Sequence, residues 1–355
     1  MRVGGRDTRA VWWSDEGIHY IDQRALPGRL EIGIARTVEE VAHAIETMAV
    51  RGAPLIGVFA AYGLALAARS GEACAAAHAR LARTRPTAVN LRKGLDAVRA
   101  AGPKADAMLA AARAFDDAEV AAAEAIGTHG LTLFRLGTRV LTHCNAGWLA
   151  VQDWGTALAP VYRAARAGLV PFVWVSETRP RLQGARLTTW ELREEGVAHA
   201  LIADSAAAHL IQRGQVDLVL TGADRIAANG DVANKIGTYG QALAASAHGV
   251  PFFVAAPRTT IDRATATGAD IPIEERDAEE VLTVEGLDDA GRPARVRVAP
   301  AGTTALNPAF DVTPHALISG IITEVGIVPA TAAGIADALR RAEGTAAPGG
   351  VSGHP

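Results

Sequence analysis

VDLVLTGADRIAANGDVANKIGTYGQALAASAHGVPFFVAAP, residues 216 to 257, reads as a strand, a turn, a helix and a second strand, and it sets the fold class. Val216 to Leu220 is a short apolar run that predicts a buried strand. Thr221-Gly222-Ala223-Asp224 follows, where the glycine frees the backbone to turn and a carboxylate emerges at the strand's C-terminal end. Open α/β sheets bind ligands at that end. Asn229-Gly230 predicts a tight turn, Asn234-Lys235 the opening of an amphipathic helix, and Gly249 its close before a buried strand from Pro251 to Ala255.

Upstream, strand-like runs at Arg139 to Thr142, Val170 to Val175 and Ala198 to Ala203 alternate with helical spacing, which predicts an α/β fold with a doubly wound, mostly parallel sheet. Before about Gly127 the pattern is largely helical. Thr37 and Glu40 match a capping box ahead of Val38, Val41, Ile45 and Met48, and Pro54 suits the first turn of PLIGVFAAYGLALAAR. Pro86 or Thr87 predicts another helix start, and Pro103 to Ala125 a long alanine-rich helix. Trp12, Trp13, Ile18, Tyr20 and Ile21 predict short strands or a hairpin before Arg36. Near the other end, NPAFDVTP (307 to 314) reads as a turn with a helix starting at Pro314, and LISGIITEVGIV as a last buried segment. The chain therefore divides into a mostly helical domain with short strands at its start (1–127), a sheet domain (128–343) and a tail, GTAAPGGVSGHP (344–355), expected to be disordered.

A length of 355 residues permits two domains with a sizeable core. The net charge of −3, without a dense Lys/Arg block, argues against nucleic acid as a partner. No apolar run reads as long enough for a membrane span and Met1 is not followed by a secretory core, so a soluble cytoplasmic protein is expected. Two cysteines exclude a disulfide framework or a cysteine-rich zinc site.

Candidate groups gather at strand and helix ends. Cys144, in LTHCNAG just past the first strand of the sheet, has the position of a nucleophile, acid or base; a buried structural cysteine is the plainer reading. Arg51 beside Gly52 and Ala53, and Arg85 before a second helix, suit anion binding or are ordinary surface arginines beside capped helices. Arg179, Arg181 and Arg186, with Gln183 among them, suit a phosphorylated ligand or a salt-bridged loop. Asp204 reads as a helix cap or an arginine partner, and Asp224 as a turn carboxylate or a proton-transfer group. No Walker loop, GxGxxG after a strand or GxSxG elbow is present, which argues against metal-dependent phosphoryl transfer, nicotinamide chemistry and serine hydrolysis.

Taken in order, RGAPLIG, RPTAVNL, LTHCNAG, ETRPRLQGARLT, TGADRIAANGDVANKIGTYG, VAAPRTTID and NPAFDVTP resemble the S-methyl-5-thioribose-1-phosphate isomerases of methionine salvage, over residues 36 to 328. The resemblance implies a helical N-terminal domain, a Rossmann-like C-terminal domain, a homodimer, a sugar phosphate substrate and no metal or organic cofactor. It implies substrate binding by Arg51, Gly52, Ala53, Arg85, Gln183, Asn234 and Lys235, and catalysis by Cys144 and Asp224. Ala146 and Trp148 depart from the family pattern, which commonly has threonine and a small residue there, and bear on the pocket for the 5-substituent. Isomerases of 5-deoxyribose 1-phosphate or ribose 1,5-bisphosphate are the near alternatives, and a non-catalytic regulatory subunit, like the exchange-factor subunits of translation initiation, is the distant one.

Overall fold

Short apolar runs bounded by glycine, proline or polar residues become the strands of a central sheet in the computed structural model, which describes residues 1–345. After a short antiparallel pair of two-residue strands, Arg2–Val3 with Arg6–Asp7, the chain forms an antiparallel meander, β1 (Val11–Ser14), β2 (Gly17–Ile21) and β3 (Ile32–Ala35). Five helices follow: α1 (Val38–Glu46), α2 (Ala53–Ser70), α3 (Cys74–Ala82), α4 (Val89–Ala100) and α5 (Ala105–Gly130). The α1 capping box is formed as expected, with Thr37 and Glu40 satisfying each other's backbone N–H groups. The last turn of α5 carries the helix past position 127 to Gly130.

Strands β4 (Arg139–Thr142), β5 (Phe172–Ser176), β6 (Ala198–Ile202) and β7 (Leu218–Thr221) then alternate with α6 (Leu158–Arg166), α7 (Thr189–Glu194) and α8 (Ala206–Gln212). A hairpin of β8 (Arg225–Ala227) and β9 (Val232–Lys235) leads to α9 (Thr238–Ala247) and β10 (Phe252–Ala255). The chain closes through β11 (Ile261–Asp262), β12 (Phe310–Thr313), β13 (Gly320–Thr323), β14 (Gly326–Val328) and α10 (Ala332–Thr345). The large sheet has the order β6-β5-β4-β7-β10-β13-β14, all parallel except the edge strand β14. Winding direction thus reverses between the neighbours β4 and β7, and a reversal of this kind opens a crevice at the strands' C-terminal ends. Val140, Leu141, Val219 and Leu220 of these two strands are fully buried.

Helix α2 is apolar on every side, the pattern of a helix surrounded by protein. By length and composition it could cross a membrane, which corrects the expectation that no run is long enough, but 78 % of it is buried within the fold. It packs on α4 backbone to backbone near the N-terminal ends of both helices. A Cβ on Gly94 would lie 2.2 Å from the Gly57 carbonyl oxygen, and one on Gly57 would lie 2.6 Å from that of Asn90. This approach brings the segments that precede the two helices, with Arg51 and Arg85, to one side of the helical layer.

Four local expectations are corrected. Asn234 and Lys235 lie on β9, not in a helix, because β9 pairs with β8 on one side and β12 on the other, opposite Asp311 and Phe310. The helix starts at Thr238 after Gly237, whose φ of 103° lies in the left-handed region. Helix α4 starts at Val89, leaving Arg85, Pro86 and Thr87 in the preceding turn. Residues 310–313, expected to be a turn, are a strand, and only a 3-10 turn, His315–Leu317, follows Pro314. The tail expected from 344 onward lies, beyond Thr345, outside the described residues.

Candidate active site

Cys144 and Asp224 extend from the C-terminal ends of β4 and β7, the two strands that flank the reversal. The Cys144 backbone is left-handed (φ 62°), and its N–H donates to Thr178 Oγ1 at 2.8 Å. The Asp224 N–H donates to the Ala233 carbonyl at 2.9 Å, which ties the turn after β7 to the β8–β9 hairpin. Gly222 is needed for proximity, not for the turn freedom expected of it: its φ is not positive, and a Cβ there would meet the Ala146 Cβ at 2.8 Å.

The cations reach this point from elsewhere in the chain. Arg51 donates from Nη1 to Asn145 Oδ1 (2.7 Å) and from Nη2 to the Asn145 carbonyl (3.0 Å). Gly52 (φ 108°) comes so close to the 3-10 turn after β4 that a Cβ would stand 2.4 Å from the Ala150 carbonyl oxygen. Arg85 is held by Glu274 (3.3 Å) and by the Met48 sulfur (3.5 Å), while its buried Nε has no protein partner. Lys235 Nζ donates to the Ala309 carbonyl (2.8 Å) and lies 4.5 Å from the centre of the Phe310 ring. Asn234 Nδ2 donates to Thr238 Oγ1 (3.0 Å), and Gln183 presents a buried Oε1 with no protein partner.

Arg51, Gly52, Ala53, Arg85, Cys144, Gln183, Asp224, Asn234 and Lys235, all the residues expected at the site, line one cleft of about 720 Å³ including its mouth. A buried polar atom without a partner is costly, and two such atoms, Arg85 Nε and Gln183 Oε1, belong to residues of the cleft lining. Among the described residues, no three His, Cys, Asp or Glu side chains converge as metal ligands would.

Burial dominates the electrostatics. It pushes the Cys144 thiol above its ordinary value, with Arg51 and Lys235 pulling the other way, and it raises the Asp224 carboxyl against the pull of Lys235, Arg85 and Arg51. The same burial lowers Lys235 and Arg51, countered by Cys144 and Asp224 for Lys235, and by Cys144, Glu191 and Asp224 for Arg51. A thiol and a carboxyl whose ionisation is disfavoured by burial therefore face a cationic rim. His143, beside Cys144, is held neutral by burial; Nε2 lies 2.8 Å from the Ile236 carbonyl and Nδ1 lies 3.1 Å from Gln241 Nε2, so the proton belongs on Nε2.

The arginine-rich loop divides its roles. Arg181 lines the cleft and pairs with Glu280 at 2.7 Å, whereas Arg179 and Arg186 donate to backbone carbonyls elsewhere. Trp148, expected beside the pocket, is wholly buried against Trp190 and does not line the cleft; Met48, Ala146, Ala150, Val151 and Phe310 supply the apolar wall. Sequence reasoning missed Glu191, which is fully buried and accepts from Asn145 Nδ2, Trp148 N, Leu149 N and Tyr162 OH. It braces the loop that carries Cys144 and Asn145. Its setting, TTWELREEG, looks like any solvated helix face, so the sequence holds no signal for it.

Comparison with known proteins bears on this arrangement. A family model described as the initiation factor 2 subunit family matches residues 49–330. A methylthioribose-1-phosphate isomerase of Dechloromonas aromatica (strain RCB) is 52 % identical over 353 residues, covering 94 % of this chain and 97 % of that one. The chain belongs to the methylthioribose-1-phosphate isomerase family. A protein of the same name from Methylocella silvestris is 50 % identical over 361 residues, with 96 % and 99 % covered. Among solved structures, 5-methylthioribose 1-phosphate isomerase from Pyrococcus horikoshii OT3 superposes with a TM-score of 0.83 at 41 % identity, covering 94 % of this chain and 96 % of that one. The translation initiation factor eIF-2B, subunit delta, from A. fulgidus gives 0.78 at 40 %, with 94 % and 100 % covered. The match to the isomerase family spans both the helical layer that carries Arg51 and Arg85 and the sheet that carries Cys144 and Asp224.

Proposed function

We infer that the protein is an aldose–ketose isomerase that converts 5-methylthioribose 1-phosphate to 5-methylthioribulose 1-phosphate, with Cys144 and Asp224 as its catalytic pair. The observation that carries the reading is the convergence of a thiol and a carboxyl from adjacent strands on one cleft rimmed by Arg51, Arg85 and Lys235. The relatives that bear the isomerase name at about half identity support it.

The substrate's anomeric oxygen carries phosphate, so the ring cannot open as a free hemiacetal does. The phosphate brings negative charge to the rim, where Arg51, Arg85 and the backbone around Gly52 and Ala53 meet it. Asp224, whose raised pKa favours the protonated carboxyl, gives its proton to the ring oxygen as the bond from that oxygen to C1 breaks. The hydrogen on C2 then passes to C1 beside the Cys144 sulfur, the 2-hydroxyl proton returns to the Asp224 carboxylate, and a ketone stands at C2. Atoms balance, and the protein ends as it began. Lys235, Asn234 and Gln183 orient hydroxyls and offset charge that develops on oxygen. The wall of Met48, Ala150 and Val151 suits a thiomethyl group better than a second phosphate.

In this reading the chain has a helical domain (1–127) and a Rossmann-like domain (128–343), pairs as a homodimer and works in the cytoplasm on a small sugar phosphate without metal or organic cofactor. The strand order supports the Rossmann-like assignment, and the family resemblance supports the rest. Turnover of 5-methylthioribose 1-phosphate, measured beside 5-deoxyribose 1-phosphate and ribose 1,5-bisphosphate, tests the function. Preference for the bisphosphate would replace the substrate assignment, and no turnover of any of the three would favour the regulatory-subunit reading, which the likeness to the A. fulgidus protein keeps in view.

A further inference from the structure

Asp204 stands at the C-terminal end of β6, outside the cleft wall, and does neither of the things its sequence setting suggests. It makes no side-chain cap for α8, and no arginine side chain pairs with it among its described contacts. Its carboxylate instead gathers the turn after β5: Oδ1 accepts from Thr178 N (2.7 Å) and from Ser176 Oγ, and Oδ2 accepts from Arg179 N (2.7 Å).

The turn needs such a clamp. Thr178 is wholly buried with φ 67°, a region that β-branched residues rarely enter and hold only when their surroundings fix them there. Two successive N–H groups bound to one carboxylate supply that constraint. Thr178 Oγ1 donates to the Ser176 carbonyl (3.0 Å), which leaves a lone pair aimed at the N–H of Cys144 (2.8 Å). Cys144 is itself left-handed. Two residues in uncommon backbone conformations thus meet through one hydrogen bond, and the carboxylate fixes the first of them.

We propose that Asp204 is a positioning residue for Cys144: it pins the Thr178 turn, and Thr178 Oγ1 sets the main chain of Cys144 so that its sulfur faces the reacting carbons. This rests on the reading of Cys144 as a catalytic group. Thr178→Val keeps size and branching but removes both the acceptor for the Cys144 N–H and the donor to the Ser176 carbonyl, whereas Thr178→Ser keeps both. Thr178→Val and Asp204→Asn should each lower kcat about thirtyfold, with KM within about threefold and Thr178→Ser near the parent rate. Because the proposed effect runs through the Thr178 contact, and not through Ser176 Oγ, which donates to Asp204 and lies 3.1 Å from His143 Nδ1, the double variant should fall no further than the poorer single. An additive double variant, a serine variant as poor as the valine one, or a loss confined to KM or to the melting temperature would overturn the proposal.

Alkylation of Cys144 by iodoacetamide, in a Cys74→Ala background, separates the two assignments because it does not require Cys144 to be catalytic. Thr178→Val and Asp204→Asn should change that rate at least about fivefold. If Cys144→Ser turned over normally while alkylation still responded to Thr178→Val, the catalytic assignment would fail and the geometric link would stand. If Cys144→Ser were inactive and alkylation unresponsive, the positioning role would fail by itself.

Discussion

Replacing Arg51 with alanine is the sharpest probe of how the cleft holds an anion. A guanidinium carries five N–H donors in a rigid fork. Two are directed at Asn145, one to its side-chain oxygen and one to its carbonyl, so the remaining three are available to the cleft. A charge-assisted hydrogen bond contributes about 1.5–3 kcal/mol, and a fork on phosphate makes two that are only partly additive, so removing Arg51 should cost about 3 kcal/mol of substrate binding. At 1.36 kcal/mol per factor of ten, that is roughly a hundredfold rise in KM. Phosphate is bound alike in the ground and transition states, so kcat should hold within a few-fold. Arg51→Lys retains the charge, but a single ammonium cannot serve Asn145 and phosphate in the same geometry; a rise of about tenfold is expected. Steady-state kinetics, together with the inhibition constant of inorganic phosphate, measures all of this. A fall in kcat with KM and phosphate inhibition unchanged would refute the anion-binding assignment and move Arg51 to the reacting centre.

Cys144→Ser and Asp224→Asn should each lower kcat by about three orders of magnitude or more with the circular dichroism spectrum unchanged; a near-normal rate in either variant would remove that residue from the mechanism. In a Cys74→Ala background the alkylation rate of Cys144 should rise with pH and reach half its plateau above the ordinary thiol value of 9.0, because burial disfavours the reactive thiolate. Lys235→Met removes a positive charge that lowers this pKa, so alkylation at pH 8 should slow; an acceleration would contradict the placement of the charge. Gly147→Ala would put a Cβ 1.8 Å from a Glu191 carboxylate oxygen, and the urea midpoint should fall by the equivalent of about 3 kcal/mol, a loss that an unshifted transition would exclude. With deuterium at C2 of the substrate and light water as solvent, full retention at C1 marks direct transfer of the hydrogen, and washout marks passage through an exchangeable group such as the Cys144 sulfur.

The central parallel strands were legible because β4 and β7 are continuous apolar runs with little exposure on either face, and their ends disclosed Cys144 and Asp224 for the same reason; β6 at the sheet edge is half exposed. Lys235 was identified as a site residue but set on the wrong element. The helix at Thr238 begins so soon after it that local spacing merges the two; 232–235 is a strand because it pairs with β8 in the hairpin and with β12, some seventy-five residues further on, and only β12 reaches Asn234 and Lys235. Distant partners were hidden in the same way. Asp311 lies in what reads as a turn, yet its carboxylate receives the Gly237 and Tyr239 N–H groups at the start of α9, and burial pushes its pKa up to about 6. The bracing by Glu191 and the left-handed backbones of Thr178 and Cys144 arise from tertiary contacts that leave no local pattern.

The crossing of α2 over α4 has a bearing on the spacing of the two arginines. Because the helices touch through main-chain atoms at Gly57 and Gly94, no rotamer change can widen the gap between the segments that carry Arg51 and Arg85. A methyl group added at Gly57 or Gly94 would have to push the helices themselves apart, and the two arginine-bearing segments would separate with them.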